Sequence, residues 1–484
     1  MLSLIKRLAI GVGVVLLALM AIIVVNTLRY SAGEIAMAEP FELGADTDRA
    51  AQILSDAVQF RTVSIDMNQP EFPAFRAFLV DRFPNVHATM DHEVLDAQTP
   101  LFKWTGSDAT QQPVLLAAHY DVVPVALDSI DEWVHPPYDG TLADGYIWGR
   151  GTLDNKGALI AMMSAAEHLI AEGFTPRRTV YFSFGGDEEV GGTGAQSIAR
   201  HLTDQNVRLA WALDEGSFVL DGIVPGLDTP VASINLSEKG YMTLKLIARG
   251  TGGHSSMPPK ITAVGRLARA VHRLEESPMP GGLTGVSAEF FDGLGPHFSL
   301  LQRALFANRW LFDPLLERVL SDAPSTNAML RTTTAPTMLS GSAKDNVLAT
   351  EASATINFRI HPRDTVDSVI AHVRQVIDDS AIEIVVDSAT AIEASPVADA
   401  RAQGYLDIEA AIRSTFGSLV SVPGLTIAAT DARHYAKASD ATYRINPFKI
   451  GNDDLVRFHG INERLSLDNL SRGIDFYGAL LRKQ

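Results

Sequence analysis

The sequence predicts an α/β fold with a mainly parallel sheet, helices on both of its faces, and a second, smaller α+β unit inserted into it. Short apolar runs bounded by turn-forming residues, typical of buried strands, occur at residues 114–118, 179–184 and 208–213. Between the first two, residues 156–173 place apolar side chains on one side of a helix. Strand, helix and strand in this order indicate a parallel sheet covered by helices.

The pattern changes from about residue 235. Residues 240–249 alternate like a strand with one solvated face, and residues 262–276 have helical periodicity, so we expect an antiparallel sheet with helices here. Further strands are predicted at 352–360 and 382–386, and further helices at 366–377 and 400–416. Residues 278–327 have the least regular pattern, and we expect them to be an insertion.

At 484 residues the chain exceeds the size of a single hydrophobic core, so more than one domain is expected. The predicted organisation is an N-terminal anchor at 1–30, a larger domain formed by 45–235 and 389–484, and an inserted smaller domain at 236–388 that contains the insertion at about 278–327.

The anchor prediction rests on residues 8–25, an uncharged apolar run that follows Lys6 and Arg7. Such a run is long enough to span a bilayer. The positive-inside bias then places Lys6 and Arg7 in the cytoplasm and the bulk of the chain outside it, in the periplasm or the extracellular space. The alternative is secretion through a cleaved signal peptide, with Ala36-Met37-Ala38 as the cleavage site.

Composition excludes several functions. The formal charge of −17 comes from 57 acidic and 40 basic residues, and no basic stripe is present, so nucleic acid is not an expected partner. The chain has no cysteine, which excludes disulfides, thiolate metal ligands and cysteine nucleophiles. Histidine, aspartate and glutamate remain as candidate metal ligands.

Two early segments carry such residues. His119 and Asp121 follow the strand at 114–118, and side chains two positions apart share a face of an extended chain, so Asp121 can orient the imidazole of His119 for a metal. A glycine-rich turn at residues 148–157 brings Asp154 to the start of a helix. A purely structural His119 and a helix-capping Asp154 are the alternatives.

Three consecutive acids give the strongest local signal. Asp187, Glu188 and Glu189 follow a buried strand and lie between two glycine pairs within residues 185–192. A run of acids is usually a solvated surface, but the carboxyl end of a parallel strand is where α/β sheets bind ligands. Two adjacent carboxylates there can divide the work, because one binds metal while the other takes a proton from water.

Two later segments complete the set. Asp214 and Glu215 end the next predicted strand and offer acids at the same edge of the sheet. His459 lies in a turn near the carboxyl end of the chain, and taken alone it is typical of a surface histidine.

In this order the five segments resemble the M20 metallopeptidase family, which includes aminoacylases, and they are most similar to its subgroup of carboxypeptidase S and the N-fatty-acyl amino acid hydrolases. The resemblance implies two zinc ions per subunit, and cobalt or manganese also suit this ligand set. It implies that Asp154 bridges the ions and precedes a cis peptide bond. The substrate class would be a dipeptide or an N-acyl amino acid.

The same resemblance implies a role for each remaining residue of the set. His119 with one acid of the Asp214 and Glu215 pair would hold one ion, and Glu215 is favoured. Glu189 and His459 would hold the other ion. Glu188 would be the general base.

The inserted smaller domain resembles the family's lid. There the resemblance implies that His254 stabilises the oxyanion, often across a homodimer, and that Asn346 and Arg359 contact substrate. Arg433 of the larger domain matches a further substrate position. An arginine fork suits a free carboxylate, and we favour Arg433 over Arg359 for it, with a salt bridge as the alternative for either. The insertion puts a homodimer in doubt and is a candidate for an apolar acyl pocket.

The function predicted from sequence is therefore that of a membrane-anchored zinc hydrolase that cleaves an amide bond next to a free carboxylate. Two substrates stay open, Gly-X dipeptides and N-acyl amino acids. The alternative from a different class is a non-catalytic cell-surface binding protein on the same scaffold.

Overall fold

The computed structural model describes residues 2–33, 38–66, 69–96 and 98–484. Two residues of the predicted cleavage site, Ala36 and Met37, lie outside the described residues. The chain forms two compact units. The smaller unit contains the residues through Ala32, Ser237–Pro396 and Ile427–Ala429, and the larger unit contains Gly33–Leu236, Val397–Thr426 and Thr430–Gln484.

The helices, in chain order, are α1 (Leu2–Arg29), α2 (Thr47–Val58), α3 (Glu71–Arg82), α4 (Pro84–Thr89), α5 (Lys156–Ala171), α6 (Thr193–Asp204), α7 (Ala263–Glu276), α8 (Val286–Leu294), α9 (Leu300–Ala307), α10 (Arg309–Ser321), α11 (Pro324–Leu330), α12 (Val366–Ile377), α13 (Gln403–Phe416), α14 (Ala432–Tyr435), α15 (Asn452–Leu455) and α16 (Leu467–Arg482). Short 3₁₀ helices span Leu127–Glu132, Glu188–Val190 and Gly295–His297.

The strands are β1 (Asp91–Leu95), β2 (Thr99–Trp104), β3 (Val114–His119), β4 (Thr141–Ala143), β5 (Tyr146–Trp148), β6 (Val180–Gly185), β7 (Trp211–Asp214), β8 (Val219–Leu220), β9 (Val231–Glu238), β10 (Gly240–Arg249), β11 (Gly253–His254), β12 (Thr333–Ser340), β13 (Val347–Leu348), β14 (Glu351–Ile360), β15 (Ile382–Val386), β16 (Val420–Thr426), β17 (Thr442–Arg444), β18 (Lys449–Ile450) and β19 (Arg464–Ser466).

The larger unit is built on one sheet with the strand order β1-β2-β6-β3-β7-β17-β9-β8-β18, and β16 pairs with β9. Its central strands β6, β3, β7 and β17 are parallel, while β1 and β2 extend it in antiparallel pairing. Every residue of β3 and β6 is buried, which is why these strands read as unbroken apolar runs. The predicted α/β fold class is confirmed.

Helix α5 connects β5 to β6 and is buried over most of its length. It packs against α16 and α2, so its apolar residues face neighbouring helices as well as the sheet. This packing fixes the amino-terminal end of α5, where the chain arrives from Asp154.

The smaller unit contains the antiparallel sheet β12-β14-β10-β15. Strand β14 alternates buried and partly exposed residues along its length, as expected for a sheet with one covered face. Helices α7 and α12 cover that face, with Leu267 and Val373 in the core between helices and sheet. The antiparallel strands β11 and β13 form a separate two-stranded sheet in the same unit.

The segment at residues 278–327, predicted to be the least regular part of the chain, is instead largely helical. It folds into α8, α9 and α10 and the beginning of α11, which share a hydrophobic core around Phe291, Phe306 and Leu316. The sequence hides these helices because glycine and proline interrupt the periodic pattern every few residues, at Gly295-Pro296 and within α10 at Pro314. Each helix is too short to show a long period of its own.

Helix α1 is long and apolar enough to cross a membrane, with a mean hydropathy of 3.1 in its most apolar stretch. None of the residues in that stretch is buried in the described chain. Only its carboxyl-terminal turns touch the smaller unit, where Thr27 is buried.

Candidate metal centre

Three neighbouring parallel strands deliver the predicted residues to one edge of the large sheet. Strand β3 ends at His119, which pairs in register with Gly185 at the end of β6. Strand β7, on the other side of β3, ends at Asp214. Because parallel strands end at the same edge, the residues that follow each of them converge there.

Asp121 ties two of these segments together. Its Oδ1 lies 3.3 Å from His119 Nδ1, and its two oxygens accept hydrogen bonds from the backbone N–H groups of Glu188 at 3.2 Å and Glu189 at 3.1 Å. One buried carboxylate therefore faces the imidazole and also holds the 3₁₀ turn that carries the two glutamates. With Nδ1 directed at Asp121, His119 presents Nε2 to the opposite side.

Asp154 lies between the two histidines. Its Oδ1 is 2.9 Å from His119 Nε2, and its Oδ2 is 3.2 Å from His459 Nε2. The Asp154-Asn155 peptide bond is cis. His459 has a φ of 56°, in the left-handed region that few non-glycine residues adopt, and the turn it sits in aims its ring at Asp154. Segments from both ends of the larger unit thus meet at one carboxylate.

Each histidine also meets a glutamate. Glu215 Oε1 lies 3.1 Å from His119 Nε2, and Glu189 Oε2 lies 3.3 Å from His459 Nε2. Of the two acids at the end of β7, it is therefore Glu215 whose carboxylate reaches the imidazole.

The side chains form two overlapping sets of possible metal ligands, and within each set the donor atoms lie within 4.8 Å of one another. His119, Asp154 and Glu189 form the first set, and His119, Glu188 and Glu215 form the second. Glu188 thus belongs to the same cluster without approaching either histidine as closely as Glu215 and Glu189 do.

The cluster is electrostatically crowded. Burial and the carboxylates of Glu215 and Asp431 raise the pKa of Glu188 well above its usual range, against the opposing effect of His119. Burial and Asp154 raise the pKa of Glu215 to about 8. Hydrogen bonds to Asp154 and Glu189 raise the pKa of His459 to about 10. These shifts mark a site with more negative charge than two imidazoles balance, which a bound cation would relieve.

The donor set fits a divalent metal. It consists of imidazole nitrogens and carboxylate oxygens, which suit zinc and equally cobalt or manganese. Among the described residues, Glu189 Oε1 is buried and has no hydrogen-bond partner, and the whole side chain of Glu189 is only 8% exposed. A buried carboxylate oxygen of this kind costs free energy unless a ligand engages it.

Glu463 is a structural residue of the site that sequence reasoning missed. It is fully buried, pairs with Arg150 at 2.7 Å, and its Oε1 accepts hydrogen bonds from the backbone N–H groups of Gly151 and Leu153 at 2.9 Å. It therefore joins the turn that presents Asp154 to the segment that carries His459. Its position four residues after His459 was the available signal.

Asp431 is a second missed residue. A Cβ on Gly192, where φ is 65°, would come within 1.9 Å of Asp431 Oδ1, and one on Gly185 within 2.7 Å of Oδ2. The glycines around the three acids therefore make room for this buried carboxylate, and burial together with Asp214 raises its pKa well above the usual range. Asp187, by contrast, accepts a hydrogen bond from the N–H of Gly194 at the start of α6.

The remaining predicted residues belong to other structural elements. His254 and Asn346 come together in the small sheet of β11 and β13, where the N–H of Ser255 donates to Asn346 O at 3.1 Å. Arg359, on β14, stacks its guanidinium over the ring of Tyr241 at 4.9 Å. Arg433 belongs to the larger unit and donates from Nη2 to Gly191 O at 3.1 Å, so it contacts the loop that carries the acids.

A protein-family model and several known proteins match the chain over most of its length. The model of peptidase family M20/M25/M40 matches residues 115–483. The chain is 38% identical to a probable carboxypeptidase S-like protein of Dictyostelium discoideum, over 96% of this chain and 92% of the relative. It is 39% identical to an N-fatty-acyl-amino acid synthase/hydrolase of Xenopus tropicalis, over 89% of this chain and 85% of that protein.

Solved structures share the fold at low sequence identity. An M20 family metallo-carboxypeptidase from Sulfolobus solfataricus has a TM-score of 0.63 at 18% identity, covering 90% of this chain and 98% of that one. Human carnosine dipeptidase 1 has a TM-score of 0.61 at 18% identity, covering 90% and 96%.

Proposed function

The chain belongs to peptidase family M20/M25/M40, a family of metal-dependent hydrolases, and on this premise we propose that it cleaves an amide bond next to a free carboxylate. The substrate would be a Gly-X-type dipeptide or an N-acyl amino acid. The relatives in the preceding comparison carry names of both kinds. The observation that carries the proposal is the position of Glu188, whose carboxylate lies within the cluster of possible metal ligands.

We assign the ligands from the histidine distances. His119 and Glu215 would hold one ion, His459 and Glu189 the other, and Asp154 would bridge them through its two oxygens. Two zinc ions, when bound, would supply Lewis acidity that polarises a scissile carbonyl and acidifies water. Asp121 would hold the ring of His119 and the turn of Glu188 in one orientation.

Glu188 would act as the general base. Its carboxylate takes a proton from the attacking water and returns it to the nitrogen of the leaving amine. Burial and neighbouring acids raise the pKa of Glu188, so its ionised carboxylate is a stronger base than that of an exposed glutamate. The alternative predicted from the sequence, a non-catalytic binding protein, does not explain why an additional carboxylate lies in the cluster.

The test is the pair Glu188→Gln and Glu172→Gln, assayed on Gly-X dipeptides and on long-chain N-acyl amino acids. Glu172 lies on the surface of the larger unit, where it pairs with Arg482. We expect Glu188→Gln to lower kcat by about 10²- to 10⁴-fold with unchanged metal content, and the control to retain full activity. Full turnover by Glu188→Gln would contradict the assignment of Glu188 as the base. Hydrolysis of only one substrate series by the wild type would decide between dipeptides and N-acyl amino acids.

We also propose that α1 is retained as a membrane anchor. The supporting observation is that its carboxyl-terminal turns pack into the smaller unit, where Asn26 Nδ2 donates to Asn308 Oδ1 at 2.9 Å. A cleaved leader has no need of a fitted contact with the folded protein. Lys6 and Arg7 would lie in the cytoplasm and both folded units outside it.

A further inference from the structure

We propose that the helical insertion of the smaller unit docks on the lipid bilayer beside α1. The proposed contact, called here the α9–α10 face, consists of exposed apolar side chains of these two helices: Leu300, Leu301, Trp310, Leu311, Leu315 and Val319. The inference rests on the proposed role of α1 as an anchor. Its occupant is the phospholipid leaflet from which α1 emerges.

The insertion is fixed directly to the end of α1. Ile23, Asn26, Thr27 and Tyr30 follow the i, i+3, i+4, i+7 spacing of one helix face, and this face meets the insertion. Besides the Asn26 contact, Asn308 Nδ2 donates to Ile23 O at 3.3 Å, and Tyr30 Oη donates to Asp292 O at 2.9 Å. The ring of Tyr30 packs on the insertion's own core.

These contacts set the depth of the insertion relative to a membrane. The hydrocarbon of a bilayer is about 30 Å thick, which about 20 helical residues span. The apolar run of α1 ends at Val25, so Asn26 and Thr27 mark the boundary between hydrocarbon and headgroups. Asn308, the residue between α9 and α10, forms hydrogen bonds with Ile23 on the hydrocarbon side of that boundary and with Asn26 on the headgroup side. The start of α10 must therefore lie at the membrane surface.

The side chains exposed near Asn308 suit that position. Leu301 is 79% exposed and Trp310 is 61% exposed, and Leu311, Leu315 and Val319 continue along one face of α10 at a spacing of four residues. The opposite faces of both helices are buried, because Phe306 of α9 and Leu316 of α10 pack into the insertion's core. Tryptophan and leucine on the outer face of a surface helix are typical of segments that lie in the membrane interface.

The arrangement favours a bilayer over a second copy of the chain. Any membrane that holds α1 meets the α9–α10 face without further movement, because the two are joined by direct contacts. A long-chain N-acyl amino acid partitions into the same leaflet, so docking would hold the enzyme where such a substrate accumulates.

The absence of cysteine allows a direct test on the full chain. Single cysteines at Leu301→Cys, Met257→Cys and Leu16→Cys are labelled with the fluorophore NBD, and the protein is reconstituted into phosphatidylcholine vesicles with or without doxyl-labelled lipid. Met257 is the matched control, because it is 79% exposed in the same unit. Leu16, in the middle of α1, reports insertion of the anchor.

We expect the doxyl lipid to quench the labels at positions 16 and 301 and to leave the label at 257 unaffected. Quenching at 16 together with a water-like, unquenched label at 301 would overturn the docking while the anchor stands. A blue-shifted but unquenched label at 301 would assign the face to a second copy of the chain instead. An unquenched label at 16 would overturn the anchor, and with it this inference, but would leave the hydrolase assignment intact.

Discussion

The metal-centre edge of the larger unit and the junction of α1 with the insertion are both assembled from distant parts of the chain, but different forces hold them. At the metal centre, buried carboxylates and imidazoles meet at hydrogen-bonding distances. At the junction, an aromatic core and a few hydrogen bonds between uncharged groups make the contact. Buried charge tolerates few substitutions, whereas an apolar surface can be built from many residues. The residues of the metal-centre edge can therefore be predicted from the sequence, whereas those of the junction cannot.

The largest effect is expected at Glu463. Glu463→Ala leaves the buried guanidinium of Arg150 and three backbone N–H groups, those of Gly151, Leu153 and Asp154, without their carboxylate, which should cost about 3–5 kcal/mol of the free energy of unfolding. We also expect metal affinity to fall about 10- to 100-fold, because the Asp154 turn loses its support. Urea unfolding and equilibrium dialysis measure the two quantities.

The control is Glu172→Ala, which removes the exposed pair with Arg482 and should cost less than about 1 kcal/mol. Equal losses for the two variants would contradict the claim that buried charge organises the metal-centre edge.

In the smaller unit the corresponding test is a pH dependence. Burial, Arg363 and Lys239 lower the pKa of His361 to about 3, and its Nε2 lies 2.9 Å from Ser287 Oγ in α8. Between pH 6.5 and about 3 the folded protein therefore keeps His361 neutral while the unfolded chain protonates it. The unfolded state binds more protons in this window, so stability falls as the pH falls, by up to about 1.4 kcal/mol per pH unit from this group.

His361→Gln should remove that contribution, so the free energy of unfolding of the variant should depend less steeply on pH between 6.5 and 4. Hydrogen exchange of the α8 and α11 peptides reports it locally. His272→Gln, at an exposed position of α7, should keep the wild-type slope. A His361→Gln slope identical to that of the wild type would refute a neutral, buried imidazole.

The smallest effect is expected at Asn308. Asn308→Ala removes the hydrogen bonds with Asn26 and with the Ile23 carbonyl and should cost about 1 kcal/mol. The loss should appear as faster hydrogen exchange in α9 and at the end of α1, with unchanged metal content. Exchange that is faster at the metal centre than in α9 would contradict the separation of the two regions.

The sequence predicted the parts of the molecule in which chemistry restricts the residue type. The family prediction is confirmed by the match to residues 115–483. Strands β3 and β6 and helix α5 begin and end within two residues of their predicted bounds, because buried runs and glycine turns mark them clearly. The predicted ligand residues of the larger unit converge in space, and their roles remain predictions.

Other parts could not be predicted for physical reasons. The helices of the insertion are short and interrupted by proline and glycine, so no periodic pattern survives. Within the insertion, which is a candidate for an acyl pocket, Phe290, Phe291, Phe298 and Leu305 belong to the insertion's own core, while Leu300 and Leu301 are exposed. Aromatic residues look the same in sequence whether they line a pocket or a core. Glu463 and Asp431 were missed because their partners are backbone groups and glycines far away in the chain.

The most direct test of the central claim is the metal content of purified protein. The pairing of His119 with Glu215 and of His459 with Glu189, with Asp154 between the two histidines, predicts two zinc ions per chain in the wild type and in Glu188→Gln. His459→Ala should lose one of them, because it removes the imidazole that faces Glu189 and Asp154. Two tightly bound ions in His459→Ala, or a single ion in the wild type, would contradict the account.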